Sequence, residues 1–159
     1  MDALFRPHLE TGVIRTVVSA IQEQQCLQLY YHAKAGGYEN LSIAPNQLVY
    51  ADGRYHVRAY CFEHNKFIDL VLSRMLEVEL SHEDWVSSAE DQEWYTYVEL
   101  RFRPNPTLPE ALKNTLLLDF RLENGVYSVS VRKALQLYVV RNMTRPDWQH
   151  HLPLWLSLS

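Results

Sequence analysis

The sequence has few cysteines, no long apolar run and no signal peptide. Its two cysteines, Cys26 and Cys61, form no CxxC pair and no zinc-binding spacing, and both lie in apolar stretches, so we expect buried free thiols. No apolar stretch reaches the roughly 18 residues of a membrane span, and the first residues lack the basic-then-apolar order of a signal peptide. We therefore expect a soluble, cytoplasmic protein with no membrane partner.

Motifs of catalysis and of metal binding are also missing. The chain contains no HExxH, GxSxG, Walker A or GxGxxG motif, and none of its 7 histidines stands at ligand spacing from a cysteine. A Cys61 nucleophile served by a histidine is the least favoured alternative, because Cys61 is expected on the apolar face of a strand. We expect no enzyme activity, no cofactor and no metal.

An excess of positive charge is absent as well. The net charge is −4 and the pI is near 5.9, which disfavours a protein whose main task is to coat duplex DNA, since such domains are usually basic. Any affinity for nucleic acid must therefore be local. Acidic residues concentrate in residues 81–93, which we interpret as a solvated linker between two domains.

The first half of the sequence has the pattern of one helix followed by a small sheet. Apolar residues recur at helical spacing near the end of an N-terminal segment, residues 1–24. Short alternating stretches separated by turn residues predict five or six strands over residues 25–80, with an interruption at Pro45. Strands this short and this closely spaced are typical of a strongly bent sheet or barrel.

The second half predicts a separate β-α-β-β-α unit over residues 94–143, which makes the whole chain α+β. Its strand, helix, two hairpin strands and second helix are expected at residues 96–102, 108–117, 118–122, 126–131 and 134–143. The turn signal of the hairpin is Asn124-Gly125. A tail, residues 144–159, carries Trp148 and Trp155, and because tail and sheet are short of internal partners we predict a homodimer.

One predicted strand has two chemically different faces. Its sequence is Tyr55-His56-Val57-Arg58-Ala59-Tyr60-Cys61. In an extended chain His56, Arg58 and Tyr60 project from one face, which we expect to be exposed, while the other four residues project into the core. Arginine presents a planar fork suited to phosphate, and a tyrosine ring offers a surface on which a base can stack. This face therefore predicts a receptor for an anion, and Ser73 and Arg74, at the end of a later apolar strand, enlarge the polar patch.

Several short motifs in the first half resemble those of a WYL domain and follow one another in the same order. They lie at residues 27–31, 43–45, 48–50, 55–57, 59–61 and 67–74. The Trp-Tyr-Leu triple that names the family aligns with residues 55–57, which hold none of the three name residues. The variant at residues 54–61 and 69–74 is similar to the WYL domains of regulators of phage-defence operons, of the BREX and CBASS types. Residues 102–104, 108–109, 118–120 and 131–132 resemble the C-terminal extension that follows the WYL domain in those regulators.

This resemblance covers about residues 10–143 and implies a fold and a mode of action. It implies a Sm-like, SH3-type β-barrel that senses a ligand, with Tyr31 near the pocket, and an extension that helps to build a homodimer. Those regulators carry a winged helix-turn-helix domain ahead of the barrel. None is recognisable here, so we expect operator DNA to be bound only through a domain absent from this chain, which is either a truncated or a stand-alone form.

We therefore interpret the chain as the ligand-sensing and dimerising effector module of a bacterial transcriptional regulator. The candidate ligand-binding residues are Tyr31, His56, Arg58, Tyr60, Ser73 and Arg74. Their chemistry predicts a nucleotide or single-stranded nucleic acid as the ligand, although Tyr31 also suits a core ring and Ser73 a bond to the backbone. The alternative is a protein-interaction or enzyme-modulating module without a small ligand, using an apolar patch at Trp148 and Trp155.

Overall fold

A computed structural model of the protein describes residues 11–158, which form two compact units divided between Asp91 and Gln92. The predicted segment before residue 11 lies outside the described residues. Both units combine helices with antiparallel strands, so the α+β class is confirmed at this level. Among residues 11–158, no helix is long and apolar enough to cross a lipid bilayer.

The first unit consists of one helix and a five-stranded sheet. The elements are α1 (Thr11–Glu23), β1 (Cys26–His32), β2 (Tyr38–Ala51), β3 (Arg54–Cys61), β4 (Lys66–Val71) and β5 (Met75–Ser81). The strand order is β4-β3-β2-β1-β5, and every neighbouring pair is antiparallel. Val17, one of the apolar residues at helical spacing, is buried as predicted, and it lies with Ala20 in one core cluster with apolar residues of the sheet.

The sheet of the first unit is open in the described part of the chain. Its edge strands β4 and β5 are joined by a single turn of 3-10 helix, Leu72–Arg74, and no ladder between them closes the sheet among these residues. The predicted Sm-like, SH3-type barrel is therefore not confirmed.

A single long strand, β2, replaces the two short strands predicted on either side of Pro45. The strand continues because the pairing with β3 shifts register between Pro45 and Gln47, which is a β-bulge. Proline lacks the N–H that a regular ladder needs, and a bulge accommodates it without ending the strand. The extra residue, Asn46, is left outside the regular pairing, and its side chain is buried.

The second unit is built on a three-stranded antiparallel sheet in the order β7-β6-β8. Its elements are α2 (Gln92–Tyr95), β6 (Tyr97–Pro104), α3 (Glu110–Asp119), β7 (Tyr127–Arg132), α4 (Gln136–Thr144) and β8 (Trp155–Ser157). The buried core consists of Leu100, Phe102, Leu108, Leu116 and Trp155. The residues predicted as a tail are therefore part of this unit, because β8 pairs with β6 and Trp155 is buried.

The predicted hairpin in the second unit is partly wrong. Asn124 and Gly125 adopt positive φ angles of 52° and 75°, as the predicted turn requires. The expected strand at residues 118–122 does not form, because α3 continues to Asp119 and the N–H of Phe120 donates to the carbonyl of Leu116. A turn signal specifies the bend and not the partner strand, and β7 pairs with β6 instead.

Candidate anion-binding site

The alternation predicted for β3 is present. Val57, Ala59 and Cys61 belong to the hydrophobic core, whereas His56, Arg58 and Tyr60 occupy the alternate positions. The assignment of Tyr55 to the core is wrong, since this ring is 39 % exposed and packs edge-on against Tyr50. Tyr55 lies near the start of the strand, where the sheet leaves it uncovered.

The prediction that the polar face of β3 is exposed is wrong for His56 and Arg58. Each residue is only 4 % exposed. Residues 85–91, called here the covering segment, pack against the rest of the first unit. The last of them, Asp91, accepts hydrogen bonds from Arg58. The prediction of a solvated linker is correspondingly wrong for Ser88 and Asp91, which are buried.

Hydrogen bonds around the β2 bulge hold the covering segment. The Nε1 of Trp85 donates to the carbonyl of Pro45 at 3.0 Å. The Asn46 side chain donates from Nδ2 to the carbonyl of Val86 at 2.9 Å and accepts at Oδ1 from the Ser88 N–H at 2.7 Å. The bulge thus supplies the buried amide that fixes this segment.

The guanidinium of Arg58 is bound by two carboxylates. Its Nε donates to Oδ2 of Asp91 at 2.7 Å and its Nη2 donates to Oδ1 of the same residue at 3.0 Å. Its Nη1 lies 3.5 Å from Oδ1 of Asp69, which faces Arg58 across the β3–β4 ladder. Parallel bonds from an arginine fork to two oxygens are the geometry that also suits phosphate. In this structure the fork holds the carboxylate of the protein's own Asp91.

His56 lies two residues before Arg58 on β3, opposite Val71 of β4. Burial lowers the pKa of the His56 imidazole, and the charge of Arg54 lowers it further, while the carboxylates of Asp69 and Asp52 and a hydrogen bond with the Arg54 backbone act in the opposite direction. The net lowering of the pKa favours the neutral ring near neutral pH, so Arg58 and not His56 supplies the positive charge of this face.

The two candidate tyrosines make packing contacts. The hydroxyl of Tyr31 accepts a hydrogen bond from the Val71 N–H at 2.9 Å, and its ring packs against the core of the first unit. The ring of Tyr60 packs edge-on against Phe62 and Phe67, with centroids 5.2 Å and 5.3 Å away. The geometry of Tyr31 matches the alternative of a core ring with a bonded hydroxyl, and a ligand role for either tyrosine stays a prediction.

Ser73 and Arg74 lie in the 3-10 turn after β4, and both are half-buried. This turn contacts β3 and starts directly after Val71, the ladder partner of His56. The fold therefore places the turn beside the strand that carries Arg58. Two surface cavities of about 240 Å³ and 90 Å³ lie elsewhere on the first unit and include none of the six candidate residues.

Sequence reasoning missed Asn46, Asp69 and Asp91. A weak signal exists for Asp69, a single carboxylate between apolar residues of a strand, where a buried partner is needed. No signal distinguishes Asp91 from the other acidic residues of its segment, because its role depends on Arg58, 33 positions earlier. Within residues 11–158 no group of three or more His, Cys, Asp or Glu side chains fits a metal ion.

Both cysteines are buried and free, as predicted. Burial, together with Glu83 and Asp84, raises the pKa of the Cys26 thiol to about 11. Burial also raises the pKa of Cys61. Both groups therefore stay protonated and poorly nucleophilic near neutral pH.

In the second unit, a closed loop carries Trp148 at its surface. An isolated bridge between Pro146 and Pro153 closes the loop, and the Asp147 N–H donates to the carbonyl of Leu152 at 2.8 Å. The carboxylate of Asp147 accepts from the backbone N–H groups of Gln149 and His150 and also lies 2.8 Å from Nδ1 of His150; this side-chain hydrogen bond is the main cause that lowers the pKa of Asp147. Trp148 is 84 % exposed on this loop.

Comparison with known protein families and relatives agrees with the two units. Residues 12–80 match the WYL domain, and residues 97–152 match the family described as BrxR transcriptional regulator, C-terminal dimerization domain.

Curated relatives carry the name DNA-binding transcriptional repressor CapW. The protein from Pseudomonas aeruginosa is 32 % identical over 135 residues, which is 83 % of this chain and 44 % of that protein. The protein from Escherichia coli strain KTE188 is 24 % identical over 144 residues, covering 90 % of this chain and 48 % of the relative. This chain thus spans less than half the length of these relatives.

A solved structure, proteasome accessory factor B/C of Arthrobacter aurescens, matches 98 % of this chain and 26 % of its own, at 15 % identity and a TM-score of 0.46. The sequence similarities and the two domain matches establish that the chain is a homologue of CapW repressors, with a WYL domain followed by a C-terminal dimerization domain of the BrxR type.

Proposed function

We propose that this protein is the ligand-sensing and dimerising part of a bacterial transcriptional regulator related to the CapW repressors. The observation that carries the proposal is the Arg58 fork in a WYL-domain sheet, which already holds an oxyanion in bidentate geometry. A WYL domain joined to a dimerization domain in one chain supports the same conclusion. We place this regulator in the cytoplasm, where bacterial transcriptional regulators act on DNA.

The ligand we propose is a nucleotide or a short single-stranded nucleic acid. Arg58 binds a phosphate group through its fork, and Arg74 and Ser73 in the turn after β4 add a second charge and a hydroxyl donor. Tyr60, which is partly exposed, offers its ring to a base, with Tyr31 and His56 near the same strands. Because few cationic groups converge here, the site suits one to a few phosphates rather than a duplex.

The assembled state we propose is a homodimer formed by the second unit, in agreement with its family match. The CapW relatives are named as DNA-binding proteins, and operator binding by this protein needs a DNA-binding domain. The full sequence has a net charge of −4, which disfavours binding of duplex DNA through phosphate contacts alone.

Fluorescence anisotropy tests this function with labelled duplex and single-stranded oligonucleotides over a salt series. We expect binding of short single strands with a log-log salt slope on the order of −1 to −3, because few phosphates are engaged. We expect no specific binding of duplex by this chain. Tight, sequence-selective duplex binding contradicts the effector assignment.

A second function is favoured by one observation, the exposed Trp148 on its closed loop. Tryptophan is enriched among the residues that contribute most to protein–protein binding. Under this alternative the protein is an interaction module without a small ligand. Failure of every nucleotide and oligonucleotide to bind favours this alternative.

A further inference from the structure

We infer that Asp91 is an internal competitor for the anionic ligand, so that a phosphate group binds Arg58 by replacing the Asp91 carboxylate and releasing the end of the covering segment. The inference rests on the proposed function and adds which change in the protein accompanies binding of the ligand. The ligand class is a phosphate-bearing nucleotide or single strand, and the site is the Arg58 fork.

The Asp91 carboxylate and a phosphate group compete for the same two donors of Arg58. Asp91 uses both carboxylate oxygens on Nε and Nη2 of Arg58, at 2.7 Å and 3.0 Å. Two phosphate oxygens form the same pair of bonds with an arginine fork. The fork cannot bind a carboxylate and a phosphate in this bidentate manner at once, so binding of the ligand requires departure of Asp91.

The charge of Arg58 favours replacement of the Asp91 carboxylate by a phosphate over loss of the Arg58–Asp91 ion pair without replacement. Arg58 is buried, and a buried guanidinium without a counter-charge is strongly disfavoured. When a phosphate replaces the carboxylate, Arg58 keeps an anionic partner and Asp69 stays across the ladder. The released Asp91 carboxylate regains its hydration in solvent. Arg58 therefore has an anionic partner both when Asp91 is bound and when the phosphate is bound. Two such arrangements of similar free energy are what a two-state element requires.

The covering segment has two attachments of different kinds. Near its start, Trp85, Val86 and Ser88 are held by hydrogen bonds of neutral groups around the β2 bulge. At its end, Asp91 is held through its charge. An anionic ligand competes only for the second attachment, so release concerns residues 89–91. Asp91 is the last residue of the first unit, so this release acts on the chain that leads into the dimerization domain.

The test compares Asp91→Asn with Glu90→Gln, using fluorescein-labelled oligothymidylate of about ten nucleotides as the probe. Both substitutions remove one negative charge from neighbouring residues, but Glu90 is exposed and Asp91 is bound to Arg58. We expect Asp91→Asn to bind the probe about tenfold more tightly than the unsubstituted protein. The neutral amide competes less well than the carboxylate for Arg58, so a larger fraction of the protein has Arg58 available to the phosphate. We expect Glu90→Gln to change affinity by less than about twofold, since it alters only the overall charge.

Hydrogen exchange of the unsubstituted protein provides a second measurement that does not depend on a variant. The Asp91 N–H donates to the carbonyl of Ser88 at 2.9 Å and the Glu90 N–H to that of Ser87 at 3.2 Å. We expect saturating probe to increase the exchange of these two amides while the Ser88 amide, held by Asn46, stays protected.

The outcomes separate the inference from the function on which it rests. Probe binding with equal affinity in all three proteins and with unchanged exchange at residues 90 and 91 overturns the competition and leaves the receptor function intact. Absence of binding of the oligothymidylate probe, and of a panel of labelled nucleotides, by all three proteins overturns the receptor function and the competition with it.

Discussion

The Nε of Arg58 and the Oδ2 of Asp91 lie 2.7 Å apart, and their side chains are only 5 % and 2 % exposed. This contact converts an arginine that the sequence places on an open face into one half of a buried ion pair. Substitutions at Arg58 therefore affect folding as well as any binding of an anion. Measurements of ligand binding by Arg58 variants have to be accompanied by measurements of stability.

We predict that Arg58→Ala destabilises the first unit. The substitution leaves the buried Asp91 carboxylate without its counter-charge, and breaking a buried pair in this way costs about 3–5 kcal/mol. Urea denaturation measures the change in the free energy of unfolding. Lys66→Ala is the control, because Lys66 is exposed on the edge strand β4 and its loss is expected to change stability by less than about 0.5 kcal/mol. Equal stability of the two variants contradicts the buried pair.

Stability is expected to fall in mild acid because of His56. Burial holds the pKa of His56 below the 6.5 of an unfolded histidine, so between the folded and unfolded values the unfolded state binds more protons. The contribution of the neutral ring is complete above pH 6.5 and is lost as the pH falls below it. His56→Gln is expected to reduce the loss of unfolding free energy between about pH 7.5 and about pH 5.5, as measured by urea denaturation.

The exposed His82, which follows β5, is the matched control for this pH effect. We expect His82→Gln to retain the acid-dependent loss that His56→Gln reduces. A pH dependence that is the same in both variants and in the unsubstituted protein shows that His56 does not titrate as its burial requires.

The two tryptophans of the last segment are expected to respond differently to substitution. Trp148→Ala removes an exposed ring and is expected to weaken the dimer while leaving the melting temperature of the second unit unchanged. Trp155→Ala removes a ring that is 3 % exposed in the core and is expected to cost about 3–5 kcal/mol of stability. Light scattering with size-exclusion chromatography at tens of micromolar reports the mass, and thermal melting reports the fold. A monomeric mass for the unsubstituted protein refutes the dimer.

Both cysteines are expected to resist alkylation in the folded protein. Their burial limits access, and the raised pKa values of Cys26 and Cys61 keep the thiolate population small near neutral pH. We expect labelling by iodoacetamide, followed by mass spectrometry, to be slow under native conditions and complete in urea. Rapid native labelling of Cys61 revives the alternative of a nucleophilic thiol.

Local sequence pattern was sufficient for features that neighbouring residues decide. The helical spacing near Val17, the alternation along β3 and the turn at Asn124-Gly125 all appear in the structure. These features follow from backbone geometry over a few residues, since side chains repeat every 3.6 residues in a helix and every second residue in a strand. The family motifs were likewise readable as short strings, and the comparisons bear out the WYL domain and its extension.

Contacts between distant parts of the chain decided what local pattern could not. Whether the polar face of β3 is open depends on residues 85–91, and the choice of β6 as the partner of β7 and β8 depends on which edges the fold makes available. The sequence by itself determined which side chains share a face, the turn at Asn124-Gly125 and the family. The tertiary structure decided that Arg58 is buried against Asp91, because the free energy of a charge depends on the groups that the folded chain brings around it.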